Sequence, residues 1–233
     1  MKAFLLAAGL GTRLQPITLT TPKCLVPICG KPLLYWWIQL FRKHNIDKVL
    51  INLHHLSTQV KGYIENNIED IEFVFFDEKK LLGSAGTLRE NKSFVSEEED
   101  FFIIYADNLT DYNLSEFYSF HKKSGKDFSM ALFTTDTPKT KGIVQLDDNN
   151  TVISFEEKPQ YPKSNLANAG LYIAKPKILE LIANDKLVDI GFDLLPQLVN
   201  RMSAWEHKGF LMDIGTIEHL KSAEKEWKTK IKV

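Results

Sequence analysis

A mixed α/β fold with a mostly parallel central sheet, covered by helices on both faces, is predicted for this 233-residue chain. Three observations predict it. Short apolar runs alternate with segments of helical periodicity through the first half of the chain, a βαβα rhythm that calls for parallel strands with helices on both faces. These runs end in Gly9 or in Ala106-Asp107-Asn108, where a strand gives way to a loop. From Phe128 the rhythm changes to short strands joined by turn-rich links such as Asp147-Asp148-Asn149-Asn150, a smaller antiparallel part.

In chain order, Ala3 to Ala7 is a buried strand, and Lys31 to His44 an amphipathic helix with Leu33, Leu34, Trp37, Ile38 and Phe41 at helical spacing. Lys48 to Leu53 is the second strand, followed by a helix near Ser57 to Asn66. Ile71 to Phe76 is the third strand, with a helix after Gly83, and Phe101 to Tyr105 the fourth. Ser129–Thr134, Ile143–Leu146, Val152–Phe155 and Gly170–Ala174 are the short strands. Helices are expected at Pro176–Ala183 and near Gly191–Asn200, short strands around Trp205 and Phe210, and a last helix from about Ile217. The acidic run Glu97-Glu98-Glu99-Asp100 reads as a solvated loop. No Pro- or Ser-rich linker, repeat or low-complexity tract interrupts the chain, so one domain over 1–233 is expected.

Hydrophobic residues make up 44% and charged residues 25%, which is globular usage. Lys plus Arg is 29 against 30 Asp plus Glu, a net charge of -1, which argues against a protein that coats nucleic acid or a polybasic membrane binder. No apolar run approaches the roughly 20 residues of a membrane helix. The segment Met1–Gly9 runs straight into a motif and is not expected to be a removable signal. Cys24 and Cys29 fit neither a zinc knuckle nor a redox pair, and a reducing cytoplasm is the expected compartment.

Ligands of open parallel sheets sit beyond the carboxyl ends of the strands. Leu6-Ala7-Ala8-Gly9-Leu10-Gly11-Thr12-Arg13-Leu14 is such an end. Gly9 and Gly11 let backbone N–H groups approach a phosphate, and Arg13 offers a bidentate clamp. The dinucleotide fingerprint fails, because its third glycine would fall at Leu14, and no Gly-Lys-Ser/Thr follows for a Walker loop. Taken alone, Gly-x-Gly after a strand reads equally well as a tight turn.

The continuation narrows the reading: Pro16, Thr20-Thr21-Pro22-Lys23-Cys24-Leu25-Val26-Pro27, then Gly30-Lys31-Pro32-Leu33-Leu34. The run resembles the signature of the sugar-phosphate nucleotidylyltransferases. The resemblance extends over nearly the whole chain. Leu82-Gly83-Ser84-Ala85-Gly86-Thr87 looks like the family's Leu-Gly-Thr-Ala-Gly segment, with serine for threonine. Tyr105-Ala106-Asp107-Asn108 resembles its strand-end Gly-Asp motif, with alanine for glycine. Gly142-Ile143-Val144, Phe155-Glu156-Glu157-Lys158-Pro159, Asn168-Ala169-Gly170-Leu171-Tyr172 and Met212-Asp213-Ile214-Gly215-Thr216 follow in the family's order.

The resemblance implies a Rossmann-like three-layer αβα fold with a small antiparallel sugar-binding part. It also implies a reaction of the 2.7.7 class, in which an NTP and a sugar 1-phosphate give pyrophosphate and a nucleotide sugar for polysaccharide biosynthesis. The implied nucleotide-binding positions are Ala7, Ala8, Gly9, Gly11, Thr12, Arg13, Lys23, Gly83, Ala85, Gly86 and Asp107. Asn108, Gly142, Glu157, Lys158 and Asn168 fall on the sugar-phosphate side. Arg13, Lys23, Asp107, Lys158 and Asp213 are the catalytic candidates, with Asp107 and Asp213 as carboxylates for Mg²⁺. Arg13 would take the departing β,γ-phosphates, Lys23 the α-phosphate and Lys158 the sugar phosphate. The nucleophile is already an anion, so catalysis becomes positioning plus electrostatics.

Each residue also has an ordinary reading. A strand-end Asp107 serves as a turn residue, Asp213 as a cap of the last helix, and Lys158 as a solvated cation. The ordered recurrence of the motifs outweighs these readings. His54-His55 are poor joint metal ligands, since neighbours on a strand face opposite ways, and base-side or loop packing suits them better. Trp36-Trp37 is chiefly helix packing, and Lys221 to Lys232 a cation-rich helical tail.

The motifs look most like the bacterial mannose-1-phosphate or heptose-1-phosphate guanylyltransferase branch, so GTP with mannose or manno-heptose 1-phosphate leads. Thymidylyl, uridylyl and cytidylyl branches stay open. So do a catalytically inactive regulatory subunit, against which the intact charged residues argue, and a choline-phosphate cytidylyltransferase on the same fold, against which the sugar-type segments argue. No C-terminal β-helix domain, nucleic acid or membrane partner is expected, and a homodimer is the default assembly.

Overall fold

The structure is a computed structural model that describes residues 1–184 and 187–231. Its elements run β1 (Lys2–Leu6), β2 (Pro27–Ile28), β3 (Lys31–Pro32), α1 (Leu33–Lys43), β4 (Lys48–Leu53), α2 (Ser57–Asn67), β5 (Glu72–Asp77) and α3 (Ser84–Glu90). They continue with β6 (Phe101–Tyr105), β7 (Asn108–Thr110), α4 (Leu114–Ser124), β8 (Phe128–Thr134), β9 (Gly142–Leu146) and β10 (Val152–Glu157). Then come β11 (Leu166–Ala174), β12 (Ser203–Glu206), β13 (Leu211–Asp213) and α5 (Ile217–Lys230). The predicted α/β alternation of the first half is present. No helix among the described residues is long and apolar enough to cross a membrane.

The chain forms two compact units, both discontinuous in sequence. One comprises Leu5–Lys80, Tyr105–Tyr112 and Gly209–Val233. Its sheet places the end of β1 beside β4 and β4 beside β5, with β4 and β5 parallel in register from Lys48 opposite Glu72 to Leu53 opposite Asp77. The β7–β13 ladder sets Asp213 opposite Asn108. Leu14, Ile28, Leu33, Leu109, Ile214 and Trp227 share one core cluster. Burying such side chains contributes about 1.5–3 kcal/mol each, and here it fixes the loop after β1 and the turn after β13 on a common support. Trp36 donates from Nε1 to the Ile28 carbonyl at 3.2 Å and meets Trp227 edge-on at 5.5 Å, while Trp37 is buried with its ring centre 5.9 Å from that of Phe41, so both tryptophans pack the helix. His54 Nδ1 lies 2.6 Å from the Glu78 carbonyl and His55 Nε2 3.1 Å from that of Thr18, the loop-packing role expected of them.

The other unit comprises Met1–Phe4, Leu81–Ile104 and Asn113–Lys208. Its strands run β10-β9-β11-β6, with β8 antiparallel to β11 and β12 parallel to β8. Three features differ from expectation. Helix α4 was not anticipated, although Asn113 accepts the Glu116 N–H at 3.2 Å, and Asn-x-x-Glu ahead of Leu114 and Phe117 is a helix-start signal. The expected helix near Gly191–Asn200 breaks into a π-helical turn, Ile190–Leu194, and a 3₁₀ turn, Leu195–Leu198, where Pro196 brings no N–H. The Pro176–Ala183 segment likewise tightens to a 3₁₀ helix over Pro176–Leu181.

The acidic run needs a correction at its end. Glu97 and Glu99 are exposed, but Asp100 is 3% exposed and lies 3.0 Å from His121 Nε2 and 3.2 Å from Lys122 Nζ. His121 Nδ1 lies 2.7 Å from Ser129 Oγ, and burial holds its pKa below the ordinary histidine range against the pull of Asp100. Asp100 is thus a buried, paired carboxylate, as an internal charge must be. Of the cation-rich tail, Lys232 lies outside the described residues.

Candidate functional site

The candidate residues fall into two clusters, one in each unit. The first lies where β1 ends. The Ala7 N–H donates to Asn52 Oδ1 at 2.7 Å, so the strand's last ladder-like amide is taken by a side chain. The next amides, Ala8 to Arg13, donate to no protein acceptor among the described residues. The Gly11 carbonyl instead folds the loop back, accepting from Thr18 Oγ1 at 2.8 Å and from Leu14 N–H at 2.9 Å. A run of unpaired N–H groups is what an anion-binding loop presents.

Arg13 is exposed on the 3₁₀ turn Thr12–Leu14 and forms no ion pair among the described residues. Its guanidinium passes over Gly215, where a Cβ would stand 3.0 Å from Arg13 Nη2 and 2.9 Å from Asp213 Oδ1. Glycine at this position lets the cation and the carboxylate approach the backbone together. Lys23, 12% exposed, lies 2.6 Å from Asp107 Oδ2 and 3.8 Å from Asp213 Oδ1. The backbone holds both acids: Ile214 N–H donates to the Asp107 carbonyl at 2.8 Å, and Ala106 N–H to that of Leu6 at 3.0 Å. The cap of α5 is Thr216, whose hydroxyl accepts the His219 N–H at 3.2 Å, so the capping role does not fall to Asp213. Two carboxylates gathered on one ammonium form a hard-oxygen donor set suited to Mg²⁺, which takes one or two protein carboxylates and fills its shell with phosphate oxygens and water. Among the described residues there is no grouping of three or more acidic, His or Cys ligands that would suit a metal bound by protein alone. Asn108, predicted on the sugar-phosphate side, stands in this cluster, opposite Asp213 in the β7–β13 ladder.

The second cluster lies in the other unit. Gly83 precedes α3, and the amides of Ala85 and Gly86 both donate to the Val188 carbonyl, at 3.0 and 3.1 Å. Ser84 Oγ donates to Asp189 Oδ1 at 2.7 Å and accepts the Ile190 N–H at 2.8 Å. The same segment continues to Gly191, which with Gly142 flanks Glu157. A Cβ at Gly142 or Gly191 would stand 2.6 or 2.9 Å from Glu157 Oε2. Lys158 keeps a left-handed backbone (φ 51°), donates its N–H to the Lys141 carbonyl at 3.0 Å and carries its ammonium 5.7 Å from the Phe192 ring centre. Asn168 is tied within β11, donating to the Tyr172 hydroxyl at 2.7 Å and accepting the Gly170 N–H at 2.9 Å where the β11–β8 register shifts. Sequence reasoning missed Asn52, Asp189 and Gly191. Asn52 left a signal, a lone amide in the apolar strand Lys48-Val-Leu-Ile-Asn-Leu53.

Burial raises the Glu157 carboxyl above the usual range, with Asp189 adding to the rise and Lys158 opposing it. The unfolded chain therefore loses this proton first as pH rises, and above the folded-state pKa the ionised group destabilises the fold. Glu157→Gln is expected to be more stable than wild type at pH 7, with the difference shrinking to nothing below the ordinary carboxylate range. Denaturant titrations at pH 3.5 and 7 check this, and equal stabilities at pH 7 would reject it.

The profile of the family described as nucleotidyl transferase matches residues 2–230. A UTP–glucose-1-phosphate uridylyltransferase of Synechocystis sp. is 34% identical over 86% of this chain and 55% of its own length. A mannose-1-phosphate guanylyltransferase catalytic subunit beta of Xenopus tropicalis is 32% identical over 92% of this chain and 61% of its own. The chain thus spans little more than half the length of these relatives. The crystal structure of HddC from Yersinia pseudotuberculosis has a TM-score of 0.83 at 23% identity, covering 97% of this chain and 99% of that one, which establishes the shared fold.

Proposed function

The chain belongs to the nucleotidyl transferase family, and from that premise we propose that it joins an NTP to a sugar 1-phosphate, releasing pyrophosphate and a nucleotide sugar. The observation that carries the proposal is the first cluster: amides from Ala8 to Arg13 and an Arg13 guanidinium that have no partner among the described residues, and Lys23 held between two carboxylates. That set is built for a polyphosphate and contains no obvious nucleophile.

In the proposed reaction an oxygen of the sugar phosphate forms a bond to the α-phosphorus, and the bond to the β-phosphate oxygen breaks. The nucleophile arrives as an anion and pyrophosphate leaves as one, so no proton need move. Arg13 and the loop amides bind the departing phosphates, and Lys23 turns its charge to the α-phosphate. Asp107 and Asp213 would hold Mg²⁺, whose chemistry there is neutralisation and orientation of the phosphate oxygens. In the other cluster Lys158 receives the sugar phosphate, while Glu157, confined by Gly142 and Gly191, offers a carboxylate to sugar hydroxyls. Gly83 to Gly86 lie against the base.

GTP with mannose or manno-heptose 1-phosphate is our first choice, on the motifs and the guanylyltransferase relatives. UTP with glucose 1-phosphate is the second, favoured by the Synechocystis relative at 34% identity. We place the reaction in the cytoplasm, with a homodimer as the working assembly. Pyrophosphate release with Mg²⁺ tests the proposal. GTP, dTTP, UTP, CTP and ATP are crossed with mannose, glucose, heptose and N-acetylhexosamine 1-phosphates, and phosphocholine is included. One productive sugar pair establishes the reaction and both substrates. Release with phosphocholine alone, or with no pair, overturns it.

A further inference from the structure

The carboxyl ends of β1, β4 and β5 are tied by a chain of side-chain hydrogen bonds that starts at the edge of the phosphate cluster and runs away from it. Ala7 N–H donates to Asn52 Oδ1 at 2.7 Å, and Asn52 Nδ2 donates to Glu78 Oε1 at 2.7 Å. Asn52 is 4% exposed and Glu78 5%, so both polar groups were taken out of water to make these contacts. The Glu78 backbone is fixed as well, its N–H donating to the Leu53 carbonyl at 2.8 Å and its own carbonyl facing His54 Nδ1 at 2.6 Å. A buried polar pair of this kind fixes geometry, because every alternative leaves a donor or acceptor unpaired.

Ala7 is the last residue before the run of unpaired amides. Its N–H belongs to the Leu6–Ala7 peptide, so the bond to Asn52 anchors the backbone at the point where that run begins. Held by Asn52, it turns its own N–H toward the protein interior and fixes the backbone at the point from which Ala8 to Arg13 lead away. Glu78 in turn selects one orientation of the Asn52 amide, since only Nδ2 can donate to a carboxylate and only Oδ1 can accept from Ala7.

We propose that Asn52, oriented by Glu78, is the positioning residue that pre-sets the phosphate-binding loop after β1. The inference rests on the reading of that loop as the triphosphate site, and its test is separable from the reaction assay. Asn52→Leu keeps the volume and removes both bonds. It is expected to weaken Mg²⁺-tripolyphosphate and Mg²⁺-GTP binding about tenfold to a hundredfold, the range expected for leaving buried polar groups unpaired. Mannose 1-phosphate binding should change less than twofold. Asn52→Asp alone sets two carboxylates together and should also weaken tripolyphosphate. Asn52→Asp combined with Glu78→Gln reverses the second hydrogen bond and should restore affinity to within about threefold of wild type.

Calorimetric titration gives the affinities, and amide exchange at Ala7 reports the first bond directly: fast in Asn52→Leu, slow again in the double variant. Wild-type tripolyphosphate affinity in Asn52→Leu overturns the proposal. So do equal losses for tripolyphosphate and mannose 1-phosphate, a double variant no better than Asn52→Asp, and a wild-type protein that binds no tripolyphosphate. Pyrophosphate release by the wild type decides the reaction itself, whichever way Asn52 falls.

Discussion

Asp107→Asn and Asp213→Asn are each expected to lower turnover about a hundredfold or more, the scale seen when one electrostatic group is removed from a charge-stabilising site, while the protein stays folded. The substitution keeps the shape and removes a charge. Both side chains are partly exposed, at 36% and 22% of their surface. Lys23 between them is only 12% exposed, but the asparagine amide oxygen still accepts from its ammonium, so the protein should remain folded. The effect on the proposed reaction is of a different size, because two polyanions would be brought together there and each acid would supply half of the carboxylates for Mg²⁺. Asp107 is the tighter partner of Lys23, at 2.6 Å against 3.8 Å, so its loss should also release the ammonium. The double variant should lose little more than the worse single one, since the two acids act as a unit. Two measurements check this: pyrophosphate release with the productive pair, and Mn²⁺ binding to the nucleotide-bound protein by its paramagnetic signal. Turnover near wild type at saturating Mg²⁺ in either folded variant would remove the metal-holding role, as would unchanged Mn²⁺ affinity.

Why these acids were legible in the sequence, and the hydrogen bonds of Asn52 and Ser84 were not, follows from how each is encoded. Asp107 stands at the end of the apolar run Phe101 to Tyr105, and Asp213 precedes Ile-Gly-Thr before a helical segment, so both carry local marks of a strand end or helix start. Arg13 and Lys23 lie in a glycine- and proline-marked loop ten residues apart. Asn52 and Ser84 hydrogen-bond across 45 and 105 residues, to Ala7 and Asp189, and no periodicity announces such a bond. The pairing of Asn108 with Asp213 was equally hidden, because β7 and β13 are three-residue strands held together over the core of Leu109, Phe210 and Ile214. Asp100 misled for the opposite reason. Three glutamates before it mark a solvated turn, and only the helix α4, absent from the sequence reading, brings His121 over it.

Gly83→Ala should destabilise the protein by about 3 kcal/mol or more, the sum of a strained backbone and a steric clash. Gly83 has φ 78° and ψ 162°, a conformation in which side chains are rarely tolerated. A Cβ there would meet the Val188 carbonyl oxygen at 2.3 Å and its carbon at 2.8 Å. That carbonyl cannot retreat cheaply, for it accepts both the Ala85 and Gly86 amides, and the Val188 N–H is fixed to the Leu82 carbonyl at 3.0 Å. Relief of the clash would break these bonds and drag Asp189 from Ser84. Gly125, at the end of α4, separates the two causes: its φ is 64°, but no atom lies within 4 Å of its added Cβ. Gly125→Ala should therefore lose only about 1–2 kcal/mol, the strain of a left-handed residue by itself. Urea unfolding of both variants measures the gap. If Gly83→Ala falls within about 1 kcal/mol of Gly125→Ala, the Val188 strap yields freely, and the loop from Gly83 to Gly86 is not held in the rigid form that recognition of a base through backbone groups requires.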